Sequence, residues 1–229
     1  MKLDILQKKI AEFGRILGSR EDYLHAYKYE MLKNFRDAWN LVTDDFAGMY
    51  DRALQSDVTR RWWKKDNYRP KEMMLLLINS NPEYARQSFK ELFNESKNVE
   101  NRVDRFIFYC DEMLRMYKKA NPRSIENNHY QDSVIISLYL AGMYPDRYTL
   151  YPGRVIFHEA LRVLQAKESI AKEDLPRFFK LCQTLSRYLL EDASVVRQLN
   201  QGRRQGQNLL LVHEFLYFLT GRWAEAVPV

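Results

Sequence analysis

Apolar residues recur at intervals of three and four along most of this chain. The clearest run extends from Val103 to Tyr117, and a second extends from Leu175 to Leu189. Because an α-helix turns once in about 3.6 residues, this spacing places the apolar side chains on one face. Glycine and proline, which interrupt helices, number only 8 and 7 in 229 residues. The pattern predicts an all-α fold, a single compact domain spanning residues 1–229 with about nine or ten helices.

Local capping patterns predict where several helices begin. Thr43-Asp44-Asp45 offers side-chain oxygens that can cap a short helix. Pro70 and Pro82 are typical of the first helical turn, and Asn81 stands before the second as a cap. The segment 208–220 is apolar on almost all sides, so we expect it in the middle of the core.

The two cysteines and the absence of long apolar runs bear on the cellular location. Cys110 and Cys182 each fall on an apolar helical stripe, which favours reduced thiols in the core over a disulfide. There is no signal-peptide pattern and no stretch of about 18 apolar residues. We therefore expect a cytoplasmic protein without a membrane partner.

The sequence lacks the residue spacings of the common catalytic sites. No two glycines are five residues apart, so a phosphate-binding loop cannot be assembled, and the histidines and cysteines show no zinc spacing. The acid-x-lysine match Glu95-Ser96-Lys97 lies at a predicted helix end, without the strands of a nuclease core, and we interpret it as solvated surface. We expect no enzyme activity in this chain: no catalytic residue, no metal and no cofactor. A nuclease is the disfavoured alternative.

The basic residues are concentrated in two short segments. The net charge is +6 and the isoelectric point is about 9.2. Residues 57–71 contain six basic and two acidic residues, and residues 197–207 contain three arginines and no acid. Cations neutralise phosphates and indole rings stack on bases, so these segments are a candidate DNA contact. The alternative is that the tryptophans anchor a loop on the core. The candidate residues are Arg60, Arg61, Trp62, Trp63, Lys64, Lys65, Arg69, Lys71, Arg203 and Arg204.

A second candidate is the polar run from Ser124 to Tyr130, in which Asn127, Asn128, His129 and Tyr130 are consecutive. Asparagine and histidine can hold a loop between two helices, and Ser124 or Asn128 can cap the helix that follows. The same groups can read a base edge or receive a partner peptide. We favour the structural interpretation, because such side chains usually satisfy backbone groups.

Several blocks of the chain, in this order, resemble the helical region that precedes the AAA+ motor of McrB-like restriction proteins. The resemblance runs from about Tyr23 to Phe218. The blocks are Tyr27-Lys-Tyr-Glu with Leu32, Phe35 and Trp39; Asp45-Phe46 with Met49 and Asp51; Pro82-Glu83-Tyr84; Leu92-Phe93-Asn-Glu95; Cys110-Asp111-Glu112-Met-Leu114 with Tyr117-Lys118; Ser124 to Tyr130; and Ile136-Ser137-Leu-Tyr139-Leu140-Ala141.

This resemblance implies a non-catalytic module of a phage-defence restriction system, whose partners are DNA and an AAA+ motor or a nuclease subunit. The chain departs from the family pattern at Gln205-Gly206-Gln207-Asn208, where the family usually carries a His-Tyr pair. Two functions stay open. One is DNA binding and target recognition through the basic segment; the other is a protein-interaction module whose aromatic surface docks the motor or nuclease subunit.

Overall fold

The structure, a computed structural model, describes residues 1–17, 26–55, 67–166, 174–199 and 208–223. These ranges contain eleven helices and no strand, which confirms the all-α fold with slightly more helices than expected. The additional count reflects short helices such as the seven-residue Ala193–Leu199, too short to show a helical period. The helices are α1 Leu3–Ile16, α2 Ala26–Ala38, α3 Phe46–Ala53, α4 Pro70–Ser80, α5 Pro82–Leu92, α6 Val99–Ala120, α7 Ser133–Met143, α8 Arg154–Val163, α9 Leu175–Leu190, α10 Ala193–Leu199 and α11 Asn208–Leu219.

The predicted helix starts are confirmed where a short polar side chain precedes an apolar run. The carboxylate of Asp45 accepts a hydrogen bond of 2.8 Å from the backbone N–H of Gly48 at the start of α3. The side chain of Asn81 accepts one of 3.1 Å from the N–H of Tyr84 in α5. Pro70 and Pro82 occupy the first turns of α4 and α5, where the missing N–H costs no helical hydrogen bond.

Helices α2 to α7 pack around a cluster of aromatic rings centred on Phe89 of α5. The ring of Phe89 lies 4.9 Å from that of Trp39, 5.2 Å from that of Phe106 and 5.2 Å from that of Tyr139, measured between centroids. All three contacts are tilted or edge-to-face, the arrangements that aromatic quadrupoles favour. The loop of residues 121–132, between α6 and α7, belongs to this first group of helices.

Helix α1 packs mainly with the last helices of the chain. The ring of Phe13 contacts Phe215, Phe218 and Trp223 at centroid distances of 5.3 to 5.4 Å. The N–H of Lys2 donates to the carbonyl of Leu164, at the end of α8. Helices α1, α8, α9, α10 and α11 thus form a second group. Residues 209–217 are buried on every side, as expected for α11.

The loop between α7 and α8, residues 144–153, joins the two groups of helices. The ring of Tyr148 packs 4.8 Å from Phe179 of α9, and its hydroxyl contacts the Arg102 guanidinium of α6. The ring of Tyr151 lies 5.0 Å from that of Phe178. The loop is buried for much of its length, so it belongs to the core although it is not helical.

Both cysteines are free thiols in the core, which confirms the expectation from their helical stripes. Cys110 and Cys182 are 0% and 1% exposed. Burial raises the pKa of each thiol well above its usual value, because a thiolate in an apolar environment loses its hydration. The described helices include none that is long and apolar enough to span a membrane.

Candidate nucleic-acid interface

Most of the predicted DNA contacts lie outside the described residues. These are Arg60, Arg61, Trp62, Trp63, Lys64, Lys65, Arg203 and Arg204. The structure does describe Arg69 and Lys71, at the end of the first basic segment, and the whole polar run from Ser124 to Tyr130. The geometry of the candidate interface is therefore built from these residues and their neighbours.

The polar run belongs to a bracing loop, residues 121–132, whose side chains bond its own backbone. Asn128 Oδ1 accepts a 2.7 Å hydrogen bond from the N–H of Tyr130. His129 Nδ1 accepts one of 2.9 Å from the N–H of Gln131. These bonds satisfy donors that no helix or strand would satisfy, and they hold Tyr130 at a φ of 57°. Asn128 and His129 thus bond the backbone of their own loop, as the structural interpretation expects.

The expected cap of the following helix was wrong. Helix α7 is capped by Asp132, whose Oδ1 accepts from the N–H groups of Val134 and Ile135 at 3.0 and 3.2 Å. Ser124 and Asn128 instead accept from backbone groups two residues ahead of them, inside the loop. An aspartate directly before the first helical residue reaches the free N–H groups of the first turn, and the other two residues start too far upstream.

The bracing loop holds the described end of the first basic segment. Arg69 Nη2 donates to both carboxylate oxygens of Glu126, at 2.9 and 2.8 Å. The Tyr68 hydroxyl donates to Asp132 Oδ1 at 3.0 Å, and the Tyr68 ring meets that of Tyr130 edge-to-face at 6.0 Å. The two candidates that the sequence analysis treated separately are therefore adjacent in space.

A buried chain of hydrogen bonds ties this loop to the core. The hydroxyls of Tyr50 and Tyr139 are 2.6 Å apart, and Tyr139 donates to Gln131 Oε1 at 2.8 Å. Gln131 Nε2 then donates to the carbonyls of Pro70 at 2.8 Å and His129 at 3.0 Å. Burial raises the pKa of both tyrosines, so both hydroxyls stay protonated. Fully bonded networks of this kind fix a single arrangement of the groups they join.

His129 is neutral near neutral pH. Burial lowers its pKa, and the nearby carboxylate of Asp111 offsets that effect only in part. Because Nδ1 accepts from the Gln131 N–H, the ring proton belongs on Nε2, which faces Asp111 Oδ1 at 3.3 Å. His129 thus has both ring nitrogens occupied by partners of this chain.

The two described residues of the basic segment are each paired with acids. Lys71 Nζ lies 2.7 Å from Asp51 Oδ1, and the Lys71 side chain is 17% exposed. This ion pair joins the start of α4 to α3. Arg69, 44% exposed, contacts Glu126 and lies 3.8 Å from Glu72. Their positive charges are thus partly neutralised within the chain.

A second set of cations, which the sequence analysis did not single out, lies beside the bracing loop. Lys118 and Lys119 are exposed at the end of α6, and Arg123 is exposed at the start of the loop. Lys118 Nζ donates to Asn127 Oδ1 at 2.6 Å. Among the described residues, none of these three cations has a salt bridge. We call Lys118, Lys119 and Arg123 the basic rim.

The helix dipole explains two of the three cations of the basic rim. Lysines in the last turn of a helix offset the negative end of its dipole, which accounts for Lys118 and Lys119 without any ligand. Arg123 lies beyond the helix, so the dipole does not account for it. The run from Lys118 to Arg123 contains three basic residues and no acid, which was the available sequence sign of the rim.

Glu95 is not the solvated surface residue that we expected. Its carboxylate contacts Arg102, Arg147 and the hydroxyl of Tyr148, and its side chain is 20% exposed. Arg102 is 2% exposed and also donates to the carbonyl of Leu92. A guanidinium buried this deeply requires a carboxylate partner. The sequence around Glu95 does not show that Arg102 and Tyr148, from other segments, lie against it. Lys97 pairs with Glu91 at 2.6 Å.

The aromatic surface expected of a protein-interaction module is small in the described part of the chain. Among those residues Phe108 of α6 is the one exposed aromatic side chain, at 54%. It lies in a shallow groove with Arg105, whose guanidinium lies 5.9 Å from the Tyr109 ring centroid. Nearly all other described tyrosines, phenylalanines and tryptophans pack in or against the core.

Neither a metal site among the described residues nor a known relative identifies the chemistry of this surface. No group of three or more His, Cys, Asp or Glu in the described ranges is arranged to hold a metal ion. A comparison of the chain with protein-family models, curated proteins and solved structures found no match. The resemblance to McrB-like restriction proteins therefore stays a prediction.

Proposed function

We propose that the chain is a non-catalytic DNA-binding module of a McrB-like restriction system. The observation that carries the proposal is the position of the basic rim. Its three cations lie beside the bracing loop, and that loop also holds Arg69, the described end of the segment that contains Arg60, Arg61, Lys64 and Lys65. Arg69 and Lys118, which are distant in the sequence, thus contact the same loop.

The chemistry of this surface suits a phosphate backbone. Each lysine or arginine that neutralises a phosphate releases condensed counterions, and that release favours binding. The acids within the loop are already engaged, since Glu126 pairs with Arg69 and Asp132 caps α7. They therefore oppose an approaching phosphate less than solvated carboxylates would. In the sequence, Trp62 and Trp63 stand between Arg60-Arg61 and Lys64-Lys65. Their flat indole rings can stack on bases.

The experiment is a titration of duplex and single-stranded DNA at several salt concentrations. We expect the logarithm of the binding constant to fall linearly with the logarithm of salt concentration, by about 0.7–0.9 for each phosphate contact. Changing Lys119 and Arg123 to alanine should flatten this slope by nearly two. The same change at Lys8 and Arg15 of α1 removes the same charge from the second group of helices and should leave the slope nearly unchanged.

The aromatic residues of the first basic segment are tested separately. If Trp62 or Trp63 stacks on a base, its replacement by alanine should weaken binding by ~1–3 kcal/mol without changing the salt slope. If it anchors the segment on the core, the melting temperature should fall instead. The absence of DNA binding at low salt, with duplex and single strand alike, would overturn the proposed function.

A second candidate function, docking of a motor or nuclease subunit, is favoured by Phe108. An exposed phenylalanine beside an arginine is typical of the residues enriched at protein interfaces. Replacing Phe108 by alanine separates the two candidates. The DNA-binding proposal requires that affinity for DNA be unchanged, and the docking proposal requires that association with the subunit be lost.

A further inference from the structure

Ile125, in the bracing loop, is the most exposed large apolar side chain that the structure describes. It is 86% exposed. An isoleucine in this position forgoes the stabilisation that burial gives. Single exposed aliphatic residues are common on protein surfaces, so exposure alone indicates nothing. The neighbours of Ile125 and the way its backbone is held are what set it apart.

The backbone on both sides of Ile125 is fixed to the rest of the protein. The N–H of Ser124 donates to the carbonyl of Asn121 at 2.9 Å, and the Asn121 side chain donates to the carbonyl of Tyr117. On the other side, the N–H of Glu126 donates to Ser124 Oγ, and the Glu126 carboxylate holds Arg69. The backbone that carries this side chain is therefore already ordered in the free protein. Less conformational entropy is then lost on binding.

The exposed charges around Ile125 are positive, and positive charges favour contact with the phosphates of a nucleic acid. Arg123 is exposed two residues before it, and Lys118, which donates to Asn127, belongs to the same basic rim. Val42 offers a contrast within the same chain. It is 84% exposed in the turn between α2 and α3, but the exposed acids that follow it are Asp44 and Asp45. Asp45 pairs with Arg52, and Arg86 donates to the carbonyls of Leu41 and Thr43, so the charge beside Val42 is mixed and lacks the excess of exposed cations found at the basic rim.

We propose that Ile125 is a wedge residue that inserts between neighbouring bases of bound DNA. This inference rests on the proposed DNA-binding function. Proteins that distort DNA commonly do so with an apolar side chain pushed into a base step, while cations on either side hold the phosphates. Here the basic rim holds the backbone and the bracing loop carries the wedge. The consequence is a locally unstacked or kinked duplex at the binding site.

The test uses a short duplex with 2-aminopurine, a base analogue whose fluorescence rises when it loses its stacking partners. Binding is measured at low salt by anisotropy of a terminal dye, and unstacking is measured by 2-aminopurine fluorescence at saturation. We expect the unmodified chain to bind and to raise the fluorescence. Ile125→Ala should lose most of that rise and bind roughly tenfold more weakly, because the buried methyl and methylene groups are gone.

Two variants sharpen the result. Ile125→Lys adds a charge to the rim, so binding should persist while the fluorescence rise disappears. Val42→Ala removes an equally exposed aliphatic side chain and should change neither quantity. All three substitutions are at exposed positions, so unchanged melting temperatures show that each variant is folded.

The outcomes separate this inference from the function on which it rests. If the unmodified chain binds DNA without any fluorescence rise, or if Ile125→Ala matches it in both measurements, the wedge is overturned and DNA binding stands. Equal losses in Ile125→Ala and Val42→Ala would also overturn the wedge. If no variant binds DNA at low salt, the proposed function itself fails.

Discussion

Lys28 of α2 is fully buried, which is rare for a lysine. Its ammonium group lies 4.5 Å from the ring centroid of Tyr217, and Glu214 of α11 is fully buried nearby in the same core. Burial lowers the pKa of Lys28 to about 7, although the charge of Glu214 acts in the opposite direction. Loss of hydration therefore outweighs the attraction of the carboxylate at this position.

This lysine should make the stability of the protein depend on pH. Between the folded pKa of about 7 and the ordinary value of 10.5, the unfolded chain binds a proton that the folded chain lacks. The free energy of unfolding should therefore rise with pH above about 7, by up to ~1.4 kcal/mol per pH unit from this group. Urea unfolding at a series of pH values from neutral to mildly alkaline measures that slope.

The matched control is Lys28→Met, which keeps an unbranched side chain of similar length and cannot bind a proton. Its free energy of unfolding should have a smaller pH dependence than that of the unmodified chain over the same range. Identical slopes in the two proteins would show that Lys28 keeps its proton throughout, and that its burial is compensated by partners other than water.

Tyr139 joins the core to the bracing loop through its hydroxyl. Tyr139→Phe removes the donor to Gln131 Oε1 and the partner of the Tyr50 hydroxyl, both in buried surroundings. Groups left unpaired in this way cost ~1–3 kcal/mol. We expect a loss of that size in the free energy of unfolding, measured in urea. Tyr50→Phe leaves the bond from Tyr139 to Gln131 intact and should cost less; a larger loss in Tyr50→Phe would contradict this order of the network.

At the scale of elements, helix α7 packs so closely on α2 that it needs a glycine. A Cβ at position 142 would overlap the ring of Phe35, which is fully buried. Gly142→Ala favours the helical backbone by about 0.5–1 kcal/mol but must displace that ring, and overpacking of a core costs ~1–3 kcal/mol. We expect a net loss of stability by urea unfolding. The double variant Gly142→Ala with Phe35→Leu should lose less stability than the sum of the two single variants. Losses that simply add would argue against the steric cause.

The sequence predicted those helix starts that depend on interactions between residues close in the chain. The caps at Asp45 and Asn81 act within three residues, so a short segment contains all the relevant information. The partners of Arg102 and Gln131 come from other helices and loops, and no spacing in the sequence reveals them. For this reason the role of Glu95 was misjudged, and the adjacency of Arg69 to Glu126 was not foreseen.

At the scale of the whole molecule, the two groups of helices are connected by buried polar and aromatic contacts around the loop between α7 and α8. Tyr148 accepts from Arg102 of the first group and packs on Phe179 of the second. The carbonyl of Leu150 lies 2.8 Å from His213 Nδ1 of α11. Separation of the groups would expose the guanidinium of Arg102 and several aromatic rings. We therefore expect the groups to unfold together.

The two cysteines allow this cooperativity to be measured. Cys110 lies in α6 of the first group, and Cys182 lies in α9 of the second, and both are buried thiols. A thiol reagent should label each slowly in the native protein, because reaction requires opening and a thiolate. In moderate denaturant the two labelling rates should rise in parallel and report the same free energy of opening. Single-cysteine variants, Cys110→Ala and Cys182→Ala, assign each rate to its site.

The contrary result would be rapid labelling of Cys182 under conditions in which Cys110 stays protected. It would mean that α1 and the C-terminal helices open by themselves and that the contacts of Tyr148 do not couple the two groups. Under the expected result, the bracing loop and its basic surface stay intact as long as the second group of helices is folded. Loss of the proposed DNA binding in denaturant should then coincide with the labelling of both cysteines, because the surface and the core are lost in one transition.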